Sequence, residues 1–345
     1  MSSRPTDDRA TKRGLSAAPL LMMLATLMAS GTPALAQPAD AGSVELMGDV
    51  TVAYEMFGDA EAEPLVLIAG TGMQLSDWPL ELVNGLVESG FKVIRLDNRD
   101  VGLSTGYAGA AVPSDEELTA AIEAGENPMP YDMSDMAGDV FGLLDSLGIE
   151  SAHLVGISMG GVIAQWAALD EPDRVRSLTL IAADSGDVEQ PLLADPEAFA
   201  DVPPVPQDAD DQEAFVEYQL QLAHALSGPA FTLDEEDVRD AARSYHERWF
   251  DPTALLRQQT AVAADFYLRG TERFQRLGEI EAPTVVVHGD ADPLVPIESG
   301  RQLADRIPNA ELLVVPGYGH DLPDELIPQL IEAIESVATR ARQAE

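Results

Sequence analysis

The 345 residues carry 60 acidic side chains against 20 basic ones, a formal net charge of −40, and 46% of them are hydrophobic. Such a charge repels nucleic acid and anionic membrane surfaces, and the absence of cysteine excludes disulfides, a thiol nucleophile and a thiolate-bound metal. The length suffices for one domain with its own core, or for two.

Residues 1–36 read as an export signal. Arg4, Arg9, Lys12 and Arg13 form a positive leader, residues 15–28 are apolar apart from Ser16 and Thr26, and Ala34-Leu35-Ala36 precedes Gln37. Charge, short apolar core and A-x-A site in that order predict cleavage after Ala36 and a secreted or periplasmic protein. The alternative is an anchoring helix, for which the apolar run is short against a span of about 20 residues. Lys12-Arg13 is only a weak echo of a twin-arginine signal, so the export route stays open. Residues 1–36 hold four basic and two acidic residues, leaving 16 and 58 in the remainder, a net of −42. The acidic residues are spread along the chain, and lysine occurs only at Lys12 and Lys92. This fits a saline environment that screens self-repulsion, or equally a solubilised surface with no special partner.

Residues 37–43 read as a linker. Residues 50–57 alternate as a strand should, and Met47-Gly48-Asp49 before them predicts a hairpin turn. Short apolar runs bounded by turn residues predict further strands at 65–69, 93–96, 154–156, 178–182, 285–288 and 312–315. Helical patterns separate most of them, at 80–89, 133–147, 161–169, 297–306 and 325–338. Apolar strands alternating with amphipathic helices predict an α/β fold, a mostly parallel sheet with helices on both faces, built from residues 44–183 and 284–345. Residues 184–283 contain no buried-strand pattern. A Pro- and Asp-rich stretch, 190–211, leads into helical segments near 213–226, 235–249 and 252–268. This predicts a helical cap over the C-terminal edge of the sheet, where open α/β sheets bind ligands. A second irregular stretch, 106–130, is assigned to the same entrance.

The strongest chemical signal is Gly156-Ile157-Ser158-Met159-Gly160, followed by Gly161. G-x-S-x-G alone arises by chance. Here His153-Leu154-Val155 reads as a strand and residues 162–166 open a helix, the strand–turn–helix context of a nucleophile elbow. The flanking glycines avoid a Cβ clash in so tight a turn, and the helix N-terminus beneath the serine favours negative charge. The alternative is an ordinary glycine-rich βα turn. A serine hydroxyl needs a base, and the base an orienting acid, in the order serine, acid, histidine. Residues 285–293 form a strand that runs into a loop holding Asp290 and Asp292, and residues 312–320 one that runs into a loop ending at His320. Among the five histidines, His153 lies within a strand, His224 and His246 in the predicted cap, and His288 at a strand end. Only His320 has the right order and the right kind of loop. Asp184, after a strand, is an alternative acid. An oxyanion hole needs two backbone N–H groups, one of which is expected from Met159. No cluster of histidines and carboxylates joins Asp290 and Asp292, so no metal is expected, and no cofactor.

These pieces resemble the α/β-hydrolase superfamily over about residues 44–340. They are Ala69-Gly70-Thr71-Gly72 with Trp78, Asp97-Asn98-Arg99-Asp100-Val101-Gly102-Leu103-Ser104, the Ser158 elbow, His288-Gly289-Asp290-Ala291-Asp292-Pro293-Leu294-Val295-Pro296, and Gly317-Tyr318-Gly319-His320. The resemblance implies Asp292 rather than Asp290 as the acid, and puts the second oxyanion donor at Thr71. Where many relatives have His-Gly, this chain has Ala69-Gly70, which keeps a backbone donor but alters the support of its loop. Within the superfamily the chain looks most like small, cofactor-independent esterases, lactonases and perhydrolase-like enzymes, including the antibiotic methyl-esterase type. The implied activity is hydrolysis of a small to medium apolar carboxylic ester or lactone through an acyl-enzyme, with Ser158 as nucleophile, His320 as base and then acid, and Asp292 orienting it. The alternatives on the same triad are C–C bond hydrolysis and cofactor-free perhydrolysis. A nucleophilic aspartate, as in the dehalogenase and epoxide-hydrolase branches, is excluded by serine at 158. A non-catalytic ligand-binding protein, like hormone receptors derived from this fold, would have no need to keep Ser158, Asp292 and His320 together. Arg99 with Asp97 and Asp100 reads as a structural turn, and Met129, Met133 and Met136 as packing. The expected partner is a small-molecule ester or lactone, with no membrane span after signal removal; the oligomeric state stays open.

Overall fold

A computed structural model describes residues 37–344 apart from 47, 191 and 192; the expected export signal, residues 1–36, lies outside the described residues. Eight strands form one sheet: β1 (Asp40–Leu46), β2 (Val50–Phe57), β3 (Glu63–Ile68), β4 (Phe91–Leu96), β5 (Ala152–Ile157), β6 (Val175–Ile181), β7 (Thr284–Gly289) and β8 (Glu311–Val315), in the order β1-β2-β4-β3-β5-β6-β7-β8. The pairs β1–β2 and β2–β4 are antiparallel, and every pair from β4 to β8 is parallel.

Side chains alternate across a strand, and β3 divides accordingly. Leu65 and Leu67 point to the face closed by α1 (Leu80–Glu88) and α9 (Ile327–Ala344), with Leu82, Leu86, Leu330 and Ile334. Val66 and Ile68 point to the face closed by α3 (Met133–Ser146), α4 (Met159–Asp170) and α8 (Ile297–Arg306), with Val140, Leu144, Ile163 and Leu303. Every residue of the central strand β5 is buried. Burial on both faces is why these strands read as continuous apolar runs instead of alternating ones. Met129, Met133 and Met136 belong to the second face, as packing.

Two expectations need correction. The stretch 37–43 is a linker only at its start, because residues 40–43 already pair with β2, from Asp40 opposite Met56 to Ser43 opposite Ala53. An edge strand held by its backbone needs no apolar alternation, and residues 40–43 are all exposed. Likewise the stretch 106–130 contains a helix, α2 (Asp115–Ala124), opened by reciprocal Ser114–Glu117 capping and closed by Gly125 at φ +72°. Leu118 is its one buried residue, so no apolar stripe announces it.

Between β6 and β7 run α5 (Gln212–Leu226), α6 (Glu235–Arg248) and α7 (Pro252–Arg276). Asp211, Asp234 and Asp251 cap their N-termini, each carboxylate accepting amides of the first turn, and Pro252 opens α7. The insertion has its own apolar cluster, in which Phe215, Tyr218, Leu222, Tyr245 and Leu255 meet Leu294 from the loop after β7. Helix α7 continues eight residues beyond its expected end at 268 because its later polar residues face polar partners. The Arg273 guanidinium, buried, donates to Gln165 Oε1 at 2.6 Å and to the Asp184 carbonyl at 2.9 Å.

The loop after β4 is more than a self-contained turn. Arg99 pairs with Asp139 of α3, but Asp97 and Asp100 reach into the insertion. Arg248 meets Asp97 at 2.7 Å, and Arg257 grips Asp100 through two bonds of 2.8 Å. The Tyr131 hydroxyl donates to Asp100 as well, at 2.8 Å. Both carboxylates are fully buried, and a buried charge is tolerable only when paired and hydrogen-bonded. The insertion is therefore fastened to the sheet by charge.

Arg257→Met should cost about 3–5 kcal/mol in urea unfolding, because it strands a buried carboxylate. Adding Asp100→Asn should restore part of that loss, since asparagine accepts the φ of +63° at this position. A double variant no more stable than the single one would show that charge burial is not the source of the loss.

Candidate active site

Ser158 sits between β5 and α4 at φ +53° and ψ −120°, a conformation rarely held by a residue with a side chain. It persists because the surroundings leave no alternative. Its N–H donates to the Ile181 carbonyl of β6 at 2.9 Å, and its carbonyl accepts the Gly161 and Val162 amides. A Cβ at Gly156 would collide with the Gly160 carbonyl, and one at Gly160 with the carbonyls of Ile68 and Ala69. The two glycines let the strand turn directly into the helix while pressed against the end of β3. The turn lifts Ser158 to the C-terminal edge of the sheet.

Asp292 and His320 arrive at the same edge from the loops after β7 and β8, and the structure brings them together. His320 Nδ1–H donates to Asp292 Oδ2 at 2.7 Å, and Asp292 Oδ1 accepts the Leu294 and Val295 amides, both at 2.9 Å. These three bonds hold the carboxylate in place. The bond from Nδ1 leaves Nε2 of His320 as the nitrogen free to take a proton; it is buried and without a hydrogen-bond partner among the described residues. Ser158 Oγ is therefore not bonded to it here, and serine–histidine bonds commonly tighten only when substrate is bound.

The other candidates are engaged elsewhere. Asp290 accepts the Gly317 amide at 2.6 Å, and Asp184 accepts the Gly186 amide at 2.7 Å. His288, which sequence reasoning passed over as a strand end, lies directly beside the acid. It is fully buried, its Nε2–H donates to the Val295 carbonyl at 3.0 Å, and the same nitrogen is 3.6 Å from Asp292 Oδ2. Burial pushes its pKa below the ordinary value, against the opposing pull of Asp292, so the imidazole stays neutral and braces the acid loop.

The loop after β3 narrows the choice of candidate oxyanion donor. Gly70 N–H meets Met73 Sδ, Gly72 N–H donates to Gln258 Oε1, Met73 N–H to the Gly70 carbonyl, Gln74 N–H to Asp77 and Leu75 N–H to Asp97. Among the described residues, Thr71 alone between positions 70 and 75 has an amide with no protein acceptor. Met159 opens α4, so its N–H has no acceptor within the helix. Both residues are buried, and Gly70, next to Thr71, lies against Ser158. Gln258 and Tyr245, which hold this loop, were not legible in the sequence: each lies in a helix whose polar residues look like a solvated face.

With this geometry described, similarity to known proteins takes on meaning. The sequence pattern of the α/β-hydrolase fold matches residues 63–325. The chain is 30% identical over 297 residues to the rhodomycin D methylesterase of Streptomyces sp. (strain C5), spanning 80% of this chain and 90% of that one. It is also 30% identical over 263 residues to the 2-hydroxy-6-oxononadienedioate/2-hydroxy-6-oxononatrienedioate hydrolase of Paraburkholderia phymatum, spanning 76% and 82%. The crystal structure of an esterase from Rhodococcus sp. ECU1013 superposes with a TM-score of 0.63 over 87% of this chain and 98% of that one, at 19% identity, a likeness of fold. A family match over most of the chain, two relatives at this identity and the eight-stranded, mostly parallel sheet make the chain a member of the α/β-hydrolase fold family, an esterase-like hydrolase within it.

Proposed function

We propose that this enzyme is a serine hydrolase that cleaves a carboxylic ester or lactone of a small to medium apolar substrate through an acyl-enzyme. The observation that carries the reading is the 2.7 Å bond from His320 Nδ1 to Asp292, made at the sheet edge to which the elbow lifts Ser158. Ser158 Oγ attacks the carbonyl carbon as its proton passes to His320 Nε2. The carbonyl oxygen becomes an oxyanion that accepts the Thr71 and Met159 amides. His320 then protonates the departing alkoxide and the ester C–O bond breaks. Water repeats the sequence on the acyl-enzyme, giving its proton to His320 and releasing the acid and the free serine. Asp292 holds the imidazole in the tautomer this cycle needs. The insertion between β6 and β7 is the cap that walls the substrate chamber.

A second reading, C–C bond hydrolysis on the same residues, draws on the dienedioate hydrolase relative. A panel of p-nitrophenyl esters of graded chain length, methyl esters, lactones and vinylogous 1,5-diketones separates the two. Turnover of the diketones alone would favour the C–C reading.

The leader supports export with removal of residues 1–36. The mass of the protein recovered from a secreting host should correspond to a chain starting at Gln37; an uncut chain would leave the anchored alternative.

Ser158→Ala should lower ester hydrolysis by at least about a thousandfold while leaving the melting temperature close to that of the parent, because the triad acts as a unit. Retention of a tenth of the activity would remove Ser158 from the mechanism.

Asp292→Asn should cost about 10⁴ in kcat, since an amide favours the wrong imidazole tautomer. Asp290→Asn and Asp184→Asn should stay within about tenfold of the parent, because each carboxylate accepts a backbone amide that an asparagine oxygen can also accept. Equal losses at positions 292 and 184 would put the acid in the other loop.

A further inference from the structure

The loop that presents the Thr71 amide is held mainly from outside the sheet. Gly72, the next residue, is bonded through both of its backbone polar groups to the insertion. Its N–H donates to Gln258 Oε1 of α7 at 2.5 Å, and its carbonyl accepts the Tyr245 hydroxyl of α6 at 2.6 Å. Gln258 is fully buried and is itself fixed, donating from Nε2 to the Arg99 carbonyl at 2.7 Å. Two residues further on, Gln74 donates to the carbonyls of Tyr245 and Trp249 at 3.1 and 2.8 Å, and accepts from Arg248 at 2.6 Å. The core offers less: a Gly70–Met73 turn, the local Gln74–Asp77 bond, one bond from Asn98 to the Ala69 carbonyl and one from the Leu75 amide to Asp97. The side chain before Gly70 is alanine, which makes no hydrogen bond, and Gly72 at φ +70° has little conformational preference to hold the loop by itself.

We propose that Tyr245 and Gln258 are positioning residues for catalysis: by clamping Gly72 from both sides they set the aim of the Thr71 N–H at the developing oxyanion. The insertion thereby completes the reactive site as well as shaping its chamber. This rests on the serine-hydrolase reading with Thr71 as donor. Gln258 fixes the peptide plane that follows Thr71, and Tyr245 fixes the next one, so losing either lets the loop rotate about the Thr71 and Gly72 torsions. An oxyanion donor stabilises the transition state only while its hydrogen points at the charge, and the ground-state carbonyl feels it less. The loss must appear in kcat.

Two variants and a tetrahedral-adduct inhibitor test this. Tyr245→Phe removes one hydroxyl and leaves the ring stacked on Phe215, with centroids 5.2 Å apart. Gln258→Met keeps the length and removes both hydrogen bonds. On p-nitrophenyl acetate each should lower kcat about ten- to a hundredfold with KM held within about threefold. The inhibition constant of a trifluoromethyl ketone, whose adduct with Ser158 places an oxyanion at Thr71, should rise by the same factor as kcat/KM falls. A purely structural role would lower the melting temperature while sparing both readouts in protein that is still folded at the assay temperature. Folded variants with wild-type kcat, or with losses confined to KM, overturn the proposal. Should Gln258→Met fail to fold, Tyr245→Phe decides alone. The parent enzyme is first treated with a fluorophosphonate: labelling of Ser158 with failure of the variants' predicted losses defeats only the positioning role, whereas no labelling defeats the serine-hydrolase reading beneath it.

Discussion

The candidate site of this protein depends on one close approach, that of the β5–α4 turn to the end of β3. Gly156 and Gly160 have no room for a Cβ, so strand, turn and helix are locked together with Ser158 at φ +53° between them. Parallel strands on either side, β3 and β6, supply the rigid frame for that strain. The same packing sets the start of α4 beside the loop after β3, the arrangement that the proposed pair of oxyanion donors uses.

Around that fixed point the loops are held by the helices between β6 and β7. The chain entering the insertion pairs with the acid loop, Ala194 N–H to the Leu294 carbonyl and Asp195 N–H to the Pro293 carbonyl. The end of α5 meets the histidine loop, where the His320 N–H donates to the Leu226 carbonyl at 2.8 Å. That contact is possible because position 319 is glycine; a Cβ there would strike the Leu226 carbonyl. Helices α6 and α7 hold the loop after β3. The insertion thus touches the three loops that carry Asp292, His320 and Thr71, and a change in its position reaches all of them.

Charge is used in two opposite ways. The exposed acidic excess keeps the surface hydrated and repels anionic partners, whereas the buried carboxylates of Asp97, Asp100 and Asp139 are matched with arginine. Only two of the 20 basic residues are lysines, and the planar guanidinium suits the buried pairs because it can bond a carboxylate at two points, as Arg257 does with Asp100. Such pairs are costly to break from one side and give directional attachment between sheet and insertion.

The sequence alone determined the alternation of buried strands and amphipathic helices, the strand–turn–helix around Ser158 and the two late loops holding Asp292 and His320, because these depend on local periodicity and on glycines with one conformational use. It determined less where backbone pairing or polar contact replaces apolar burial. The edge strand β1 and the helix α2 carry no apolar stripe, and the last turns of α7 look like a solvated face until Gln165 and Asp184 are seen beside Arg273. The arginine partners of Asp97 and Asp100 are 151 and 157 residues away, and no local pattern links them. His288, Tyr245 and Gln258 became visible only in three dimensions for the same reason: hydrogen bonds between distant segments leave no period in a sequence, and the chain has to fold before their donors and acceptors meet.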